Sequence, residues 1–111
     1  MISVPILASL NLRESAQFYV EKLGFAQVLL IENYLILRRG GAELQFWLCS
    51  DPQIAANTAC YIRTEDIELL YQEFAARGVE MKPPVLQPWG MVEMYLLDPH
   101  GNLLKFGQSN G

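Results

Sequence analysis

The chain's one histidine, His100, lies inside Asp98-Pro99-His100-Gly101-Asn102, a hairpin-turn sequence. Pro99 presets φ at the second turn position, Asp98 can accept from the backbone two residues on, and Gly101 tolerates positive φ. A histidine at such a tip is expected to be exposed and to point away from any ligand cup. That placement leaves no Ser-His-Asp or Cys-His arrangement to be expected. Cys60 falls within an apparent strand, and without an assisting base a buried thiol there is inert. The other polar and aromatic side chains are better suited to binding than to bond-breaking. Along Ala42–Leu48, Glu43, Gln45 and Trp47 share one strand face, opposite Leu44, Phe46 and Leu48. Trp89 is held on a loop between Pro88 and Gly90. Lys105 takes the face opposite Leu104 and Phe106. Glu93 lies in Met91–Tyr95, whose register the sequence leaves open. Flat aromatics with a few directed polar groups suit planar, partly cationic ligands, at about 0.5–2 kcal/mol per ring contact.

Three stretches carry a resemblance. The first is Gln87-Pro88-Trp89-Gly90 followed by a strand Met91–Leu97, Asp98-Pro99-x-Gly101-Asn102, and a strand Leu103–Gly107. The second is Asn11–Phe25, with Leu12-Arg13-Glu14-Ser15-Ala16-Gln17-Phe18-Tyr19 and Leu23-Gly24-Phe25. The third is Tyr34–Trp47. Together they resemble the vicinal oxygen chelate superfamily (glyoxalase I, extradiol dioxygenases, fosfomycin and bleomycin resistance proteins). Within it the likeness is greatest to the bleomycin-binding resistance proteins, which share the Gln-x-Trp-Gly element.

The resemblance implies an α+β fold: two tandem βαβββ units forming a curved mixed sheet, with helices on the outer face and a cup on the other. It also implies a homodimer with the cup at the interface, sometimes with exchanged N-terminal arms, Pro5 lying in such an arm. Enzymes of the superfamily hold a divalent metal. Their ligand positions fall here on Val4, on the Leu44 neighbourhood (Glu43 or Gln45), near Ala59 and on Lys105. Val4 has no donor atom and a lysine ammonium only donates, whereas a catalytic site needs about three protein ligands. No metal, cofactor or catalytic residue is therefore expected. The resemblance implies instead a binder of a bleomycin-type glycopeptide, with a flat bithiazole, a chelating head and a cationic tail. Trp89, Tyr34 and Trp47 would stack on the ligand, Glu43 or Glu93 would receive the tail, and Gln45 and Lys105 would line the cup.

Other readings stand beside this one. Trp47 could equally be core or dimer interface, Tyr34 could simply cover a hairpin, and Lys105 could neutralise Glu43. At the level of function, the alternatives are a metal-dependent lyase, isomerase or dioxygenase with atypical ligands, and a structural dimer module whose cup its own side chains fill.

The elements that must position these residues are read locally. Ser3–Leu10 is a strand confined by Pro5 to an edge or crossing place. Asn11 is an N-cap with Glu14 completing a capping box. Leu12, Ala16, Tyr19 and Leu23 form one helical face, and Gly24 ends the helix. Strands follow at Phe25–Ile31, Tyr34–Arg39 and Ala42–Cys49. After a loop containing Pro52 the pattern returns: strand Thr58–Arg63, Thr64 as cap, and a helix burying Ile67, Leu70, Tyr71, Phe74 and Ala75 before Gly78. A strand at Val79–Lys82 and the loop Pro83–Gly90 lead into the hairpin. The two glycine stops, Gly24 and Gly78, lie half a chain apart, the mark of a tandem duplication. The expectation is one domain over residues 1–111, with units at about 1–55 and 56–111. A net charge of −4 disfavours nucleic acid and anionic membrane as partners. With no signal peptide or long apolar run, the two cysteines are expected as reduced thiols in a cytoplasmic protein.

Overall fold

The computed structural model describes residues 1–110. The first unit runs β1 (Ile6–Ser9), α1 (Leu12–Glu21), β2 (Ala26–Leu30), β3 (Tyr34–Arg39) and β4 (Ala42–Leu48). A short helix, α2 (Pro52–Ala56), joins it to the second unit: β5 (Ala59–Arg63), α3 (Ile67–Ala76), β6 (Val85–Leu86), β7 (Met91–Leu97) and β8 (Leu103–Ser109). Each unit is βαβββ. The ladders form two four-stranded sheets, ordered β1-β4-β3-β2 and β5-β8-β7-β6. In each, the first strand returns to pair in parallel with the last, and the other pairings are antiparallel.

Local chemistry accounts for most of the boundaries. Asn11 caps α1 by accepting from the Glu14 amide at 3.1 Å. Gly24 and Gly78, at φ +72° and +82°, take the left-handed conformation that ends each long helix. Leu12, Ala16 and Tyr19 of α1 and Leu23 just beyond it bury the expected stripe, and edge-on ring contacts place Tyr19 against Phe25 and Phe46. Ile67 and Phe74 anchor α3, Phe74 meeting Phe106 edge-on at 5.5 Å.

Four local expectations are corrected. Pro52 opens α2 instead of lying in a loop: Asp51 caps it, accepting from the Gln53 amide at 3.0 Å, and proline suits the first helical turn. Asp66, not Thr64, caps α3 by accepting from the Leu69 amide. Ala75 is exposed, because the buried stripe of α3 is narrower than its apolar residues. Val79–Lys82 is not a strand. The ladder beside β7 is only Val85–Leu86, and Pro83 and Pro84, which have no N–H to donate, precede it.

The turn after β7 joins the two units. Asp98 is buried and its carboxylate accepts four hydrogen bonds: from Tyr19 Oη at 2.7 Å, the His100 amide at 2.9 Å, the Asn102 amide at 3.0 Å and Asn102 Nδ2 at 2.8 Å. Asn102 Nδ2 also donates to the Ala8 carbonyl at 2.7 Å. His100 is not the exposed tip residue the sequence suggested. Its ring packs into the β1–α1 junction, where Nδ1 accepts from the Leu10 amide and Nε2 meets Glu14 Oε1 at 3.1 Å. Because a backbone N–H can only donate, Nδ1 is the acceptor and Nε2 carries the proton toward Glu14. Glu14 is thus drawn to His100, and the Asn11 amide donates to Ser9 Oγ, so the capping box is only half formed.

Candidate functional site

Strand register decides which side chains share a face. On the first sheet Gln45 lies between Ile6 and Ile36, Trp47 is opposite Tyr34, and Glu43 is opposite Arg38. This is the face away from buried Leu44 and Phe46. Tyr34 Oη donates to Gln45 Oε1 at 2.6 Å, and Gln45 Nε2 donates to Glu43 Oε2 at 2.9 Å. Arg38 Nε donates to Glu43 Oε1 at 2.7 Å. These bonds, that of Arg38 first, hold the Glu43 carboxyl below its ordinary range. The indole of Trp47 stands half-exposed at the end of this row.

On the second sheet Lys105 lies between Tyr61 and Tyr95, and Glu93 is opposite Gly107. That settles the register of Glu93: it shares the face of Tyr95 and Lys105. It is only 4% exposed. Three rings reach its carboxylate: Tyr61 Oη at 2.6 Å and Trp89 Nε1 at 3.0 Å on Oε2, and Tyr95 Oη at 2.6 Å on Oε1. The rings themselves lie open, Trp89 64%, Tyr61 42% and Tyr95 39% exposed. Lys105 Nζ sits 5.5 Å from the centre of the Tyr95 ring, in cation–π range. It makes no ion pair with Glu43, which the sequence had left open; Glu43 takes Arg38 on the other sheet.

The second cluster is electrostatically coherent. The Tyr61 bond, then that of Tyr95, holds the Glu93 carboxyl below its usual range. Reciprocally, burial of its hydroxyl end and the bond to Glu93 push Tyr61 up to about 12. Tyr95 is raised, mainly by its bond to Glu93. Gly107 makes the geometry possible: a Cβ there would fall on the Tyr61 hydroxyl and ring. A cleft of about 750 Å³, within the ordinary size range of ligand sites, touches this cluster only at Glu93 and Tyr95; Phe18, Lys22, Met81 and Val85 line it as well, and Tyr61, Trp89 and Lys105 do not.

The seven residues singled out in the sequence therefore fall into two groups. Tyr34, Glu43, Gln45 and Trp47 form one, and Trp89, Glu93 and Lys105 the other. No hydrogen bond or ion pair among the described residues joins the groups. Sequence reasoning missed Tyr61, Tyr95 and Gly107. The first two carried a signal, since each is an aromatic two positions from a charged residue on a strand. Their convergence on Glu93 depends on cross-strand register, which the sequence leaves free by one residue.

The family's metal positions fall on Val4, the Glu43–Gln45 stretch, the Ala59 neighbourhood and Lys105, and strand register shows what stands beside two of them. Directly across from Gln45 and Lys105 stand Ile6 and Tyr61, each two residues along the chain from Val4 and Ala59. Ile6 has no donor atom and Lys105 only donates. Tyr61 gives its hydroxyl to Glu93, and both ends of the Gln45 amide are engaged. These residues do not fit a divalent cation, and no three His, Cys, Asp or Glu side chains converge among the described residues. His100 does meet hydroxyls, Ser15 Oγ at 3.3 Å and Ser9 Oγ at 3.5 Å, contrary to the expectation that no Ser-His-acid grouping forms. Both serines are fully buried, so no substrate carbonyl reaches them. The Cys60 thiol is pushed up to about 11, by burial first and then by the charge of Asp98.

Comparison with known proteins agrees with this geometry. The chain is 32% identical to a bleomycin resistance protein of Klebsiella pneumoniae, over 96% of this chain and 91% of that one. Its fold superposes on a crystal structure of a bleomycin-binding protein complexed with bleomycin, with a TM-score of 0.89, 31% identity and 98% of each chain covered. It superposes equally well on the copper(II)-bleomycin complex of the bleomycin-binding protein from Streptomyces verticillus, with a TM-score of 0.90, 26% identity, and 98% and 96% of the two chains covered. The sequence profile of one family matches residues 5–106, and with it the chain belongs to the Glyoxalase/Bleomycin resistance protein/Dioxygenase superfamily.

Proposed function

We infer that the protein binds a bleomycin-type glycopeptide without transforming it, sequestering the drug in a cup shared between two copies of the chain. The observation that carries this reading is the pair of central rows. Gln45 and Lys105, at two positions where the family's enzymes would hold a catalytic ion, and Ile6 and Tyr61 beside them offer it no ligand set, while the rings around them lie open. The relatives with bleomycin bound support it. Trp89, Tyr61 and Tyr95 on one face, and Trp47 with Tyr34 on the other, present planar surfaces for a bithiazole. Several stacking contacts of about 0.5–2 kcal/mol each suffice for micromolar binding, roughly −8 kcal/mol.

The homodimer is part of the proposal. The two polar-aromatic groups lie on separate sheets, and Trp47, Tyr61, Tyr95 and Leu97 are exposed in a single chain. A second copy placing the first sheet of one chain against the second sheet of the other would cover these residues and bring all seven candidate residues around one ligand. Neither glutamate is a free acceptor for the cationic tail: Arg38 neutralises Glu43, and three ring donors saturate much of Glu93. The open ring faces over Glu93 are the better place for it. Among the described residues no helix is long and apolar enough to cross a membrane, and the proposed working place is the cytoplasm, where the drug would be met after entry.

Tryptophan fluorescence during titration with metal-free and copper-loaded bleomycin tests this reading. The expected result is saturable quenching at micromolar drug or below, with Trp89→Ala weakening affinity about 2- to 30-fold. Absence of quenching, or one tightly held transition ion per chain in the purified protein, would overturn it.

A further inference from the structure

The convergence of three rings on one buried carboxylate has a separate consequence. Tyr61 comes from β5, Tyr95 from β7 and Trp89 from the loop before β7. Nothing in the chain connectivity relates their orientations, yet each places its one polar atom on Glu93 within 2.6–3.0 Å. A carboxylate has about four acceptor sites, and three are used here. Much of the ring surface is left to solvent, with Lys105 Nζ 5.5 Å from the centre of the Tyr95 ring. We propose that Glu93 is a positioning residue: it does not grip the ligand but locks Tyr61, Tyr95 and Trp89 into a single preformed aromatic wall. Gly107, whose missing side chain makes room for Tyr61, is the second part of the same device.

The arrangement differs from ordinary packing of a loop. Trp89 is the most exposed ring of the three and lies on a turn closed by Gly90 at φ +87°. The backbone of this turn is tied to the sheet, Gln87 N–H donating to the Met91 carbonyl and Asn110 N–H to the Gly90 carbonyl. The bond to Glu93 is the one hydrogen bond that fixes the indole itself among the described residues. Without it the indole would sample many rotamers, and a ligand would have to order it on binding. Preorganisation of this kind raises affinity by removing that cost. The ligand part of the argument rests on the proposed bleomycin reading; the tether does not.

Two measurements separate the two ideas. In a Trp47→Phe background Trp89 is the only tryptophan, so acrylamide quenching and time-resolved anisotropy report its mobility with no ligand present. Glu93→Ala is expected to raise the quenching constant at least 3-fold and lower the anisotropy, with far-ultraviolet circular dichroism unchanged. Glu93→Gln, which keeps the shape but turns one acceptor into a donor, should fall between. Unchanged Trp89 mobility in either folded variant overturns the proposal, and Glu93→Gln keeps the test decisive should the alanine variant not fold. Calorimetry with copper-bleomycin, with Trp47 intact, is then expected to show at least a 10-fold loss for Glu93→Ala and a smaller one for Tyr61→Phe or Tyr95→Phe. Equal affinity for wild type and Glu93→Ala also overturns it. Should wild type fail to bind bleomycin while Glu93→Ala still frees Trp89, the ligand assignment falls and the positioning role stands.

Discussion

The two sheets share one strand topology and use it in opposite ways. Aligned on their central rows, Ile6–Gln45–Ile36 of the first corresponds to Tyr61–Lys105–Tyr95 of the second. One step along, Trp47 corresponds to Gly107, and Tyr34 to Glu93. The first sheet thus puts its large ring on the last strand and fills its middle row with aliphatic and amide groups. The second empties the last-strand position and moves its rings to the flanking strands around an acid. Their carboxylates differ likewise. Glu43 is neutralised by exposed Arg38, whereas among the described residues Glu93 has no cation in hydrogen-bond contact and is held by neutral donors. One topology used twice thus gives a neutral platform and an anion-backed aromatic wall.

The predictions test that contrast. Asp98→Ala should have the largest effect, destabilising the fold by about 3 kcal/mol or more, because buried Tyr19 and Asn102 lose the charged acceptor that both units share. Denaturant unfolding measures it, and both faces should fail together. Gly107→Ala comes next. Forcing Tyr61 aside should cost about 1–3 kcal/mol of stability and weaken bleomycin binding, while the Tyr34–Gln45–Glu43 chain is untouched. Loss of binding without Tyr61 movement would break the contrast.

Acid should act on the wall by protonating Glu93. The folded-state value of its carboxyl lies below the ordinary value of 4.5, so its stabilising contribution is complete above about pH 4.5 and is lost as pH falls through the lower folded value. Trp89 quenching should therefore be flat from neutral pH down to that point and rise below it. The smallest effect is expected from Arg38→Ala. A pair with so exposed an arginine contributes little, and the melting temperature should move by less than about 2 °C.

Much of the fold was legible because its signals are local. Asn11, Gly24 and Gly78 act on their own neighbours, and the stripe Leu12–Ala16–Tyr19–Leu23 needs only helical spacing. Helix α2 had its signal too, a capping Asp51 before Pro52, but five residues give no periodicity to support it. Val79 and Met81 alternate as a strand would, and Pro83-Pro84 decided otherwise. At the site, the faces of Glu43, Gln45, Trp47 and Lys105 followed from simple alternation. The partners of Glu93 did not, since Tyr61 lies 32 positions away and meets it only through the β5–β8–β7 registers. His100 misled for a related reason: a turn is a surface feature until another unit packs on it.

That last contact has a consequence for dividing the chain. The hairpin of the second unit delivers Asn102 to the Ala8 carbonyl, Asp98 to Tyr19 and His100 to Leu10 and Glu14, all in the first. Severing the gene near codon 56 would yield fragments that each carry half of a lock. They would have to be co-expressed and find each other before either acquired shape.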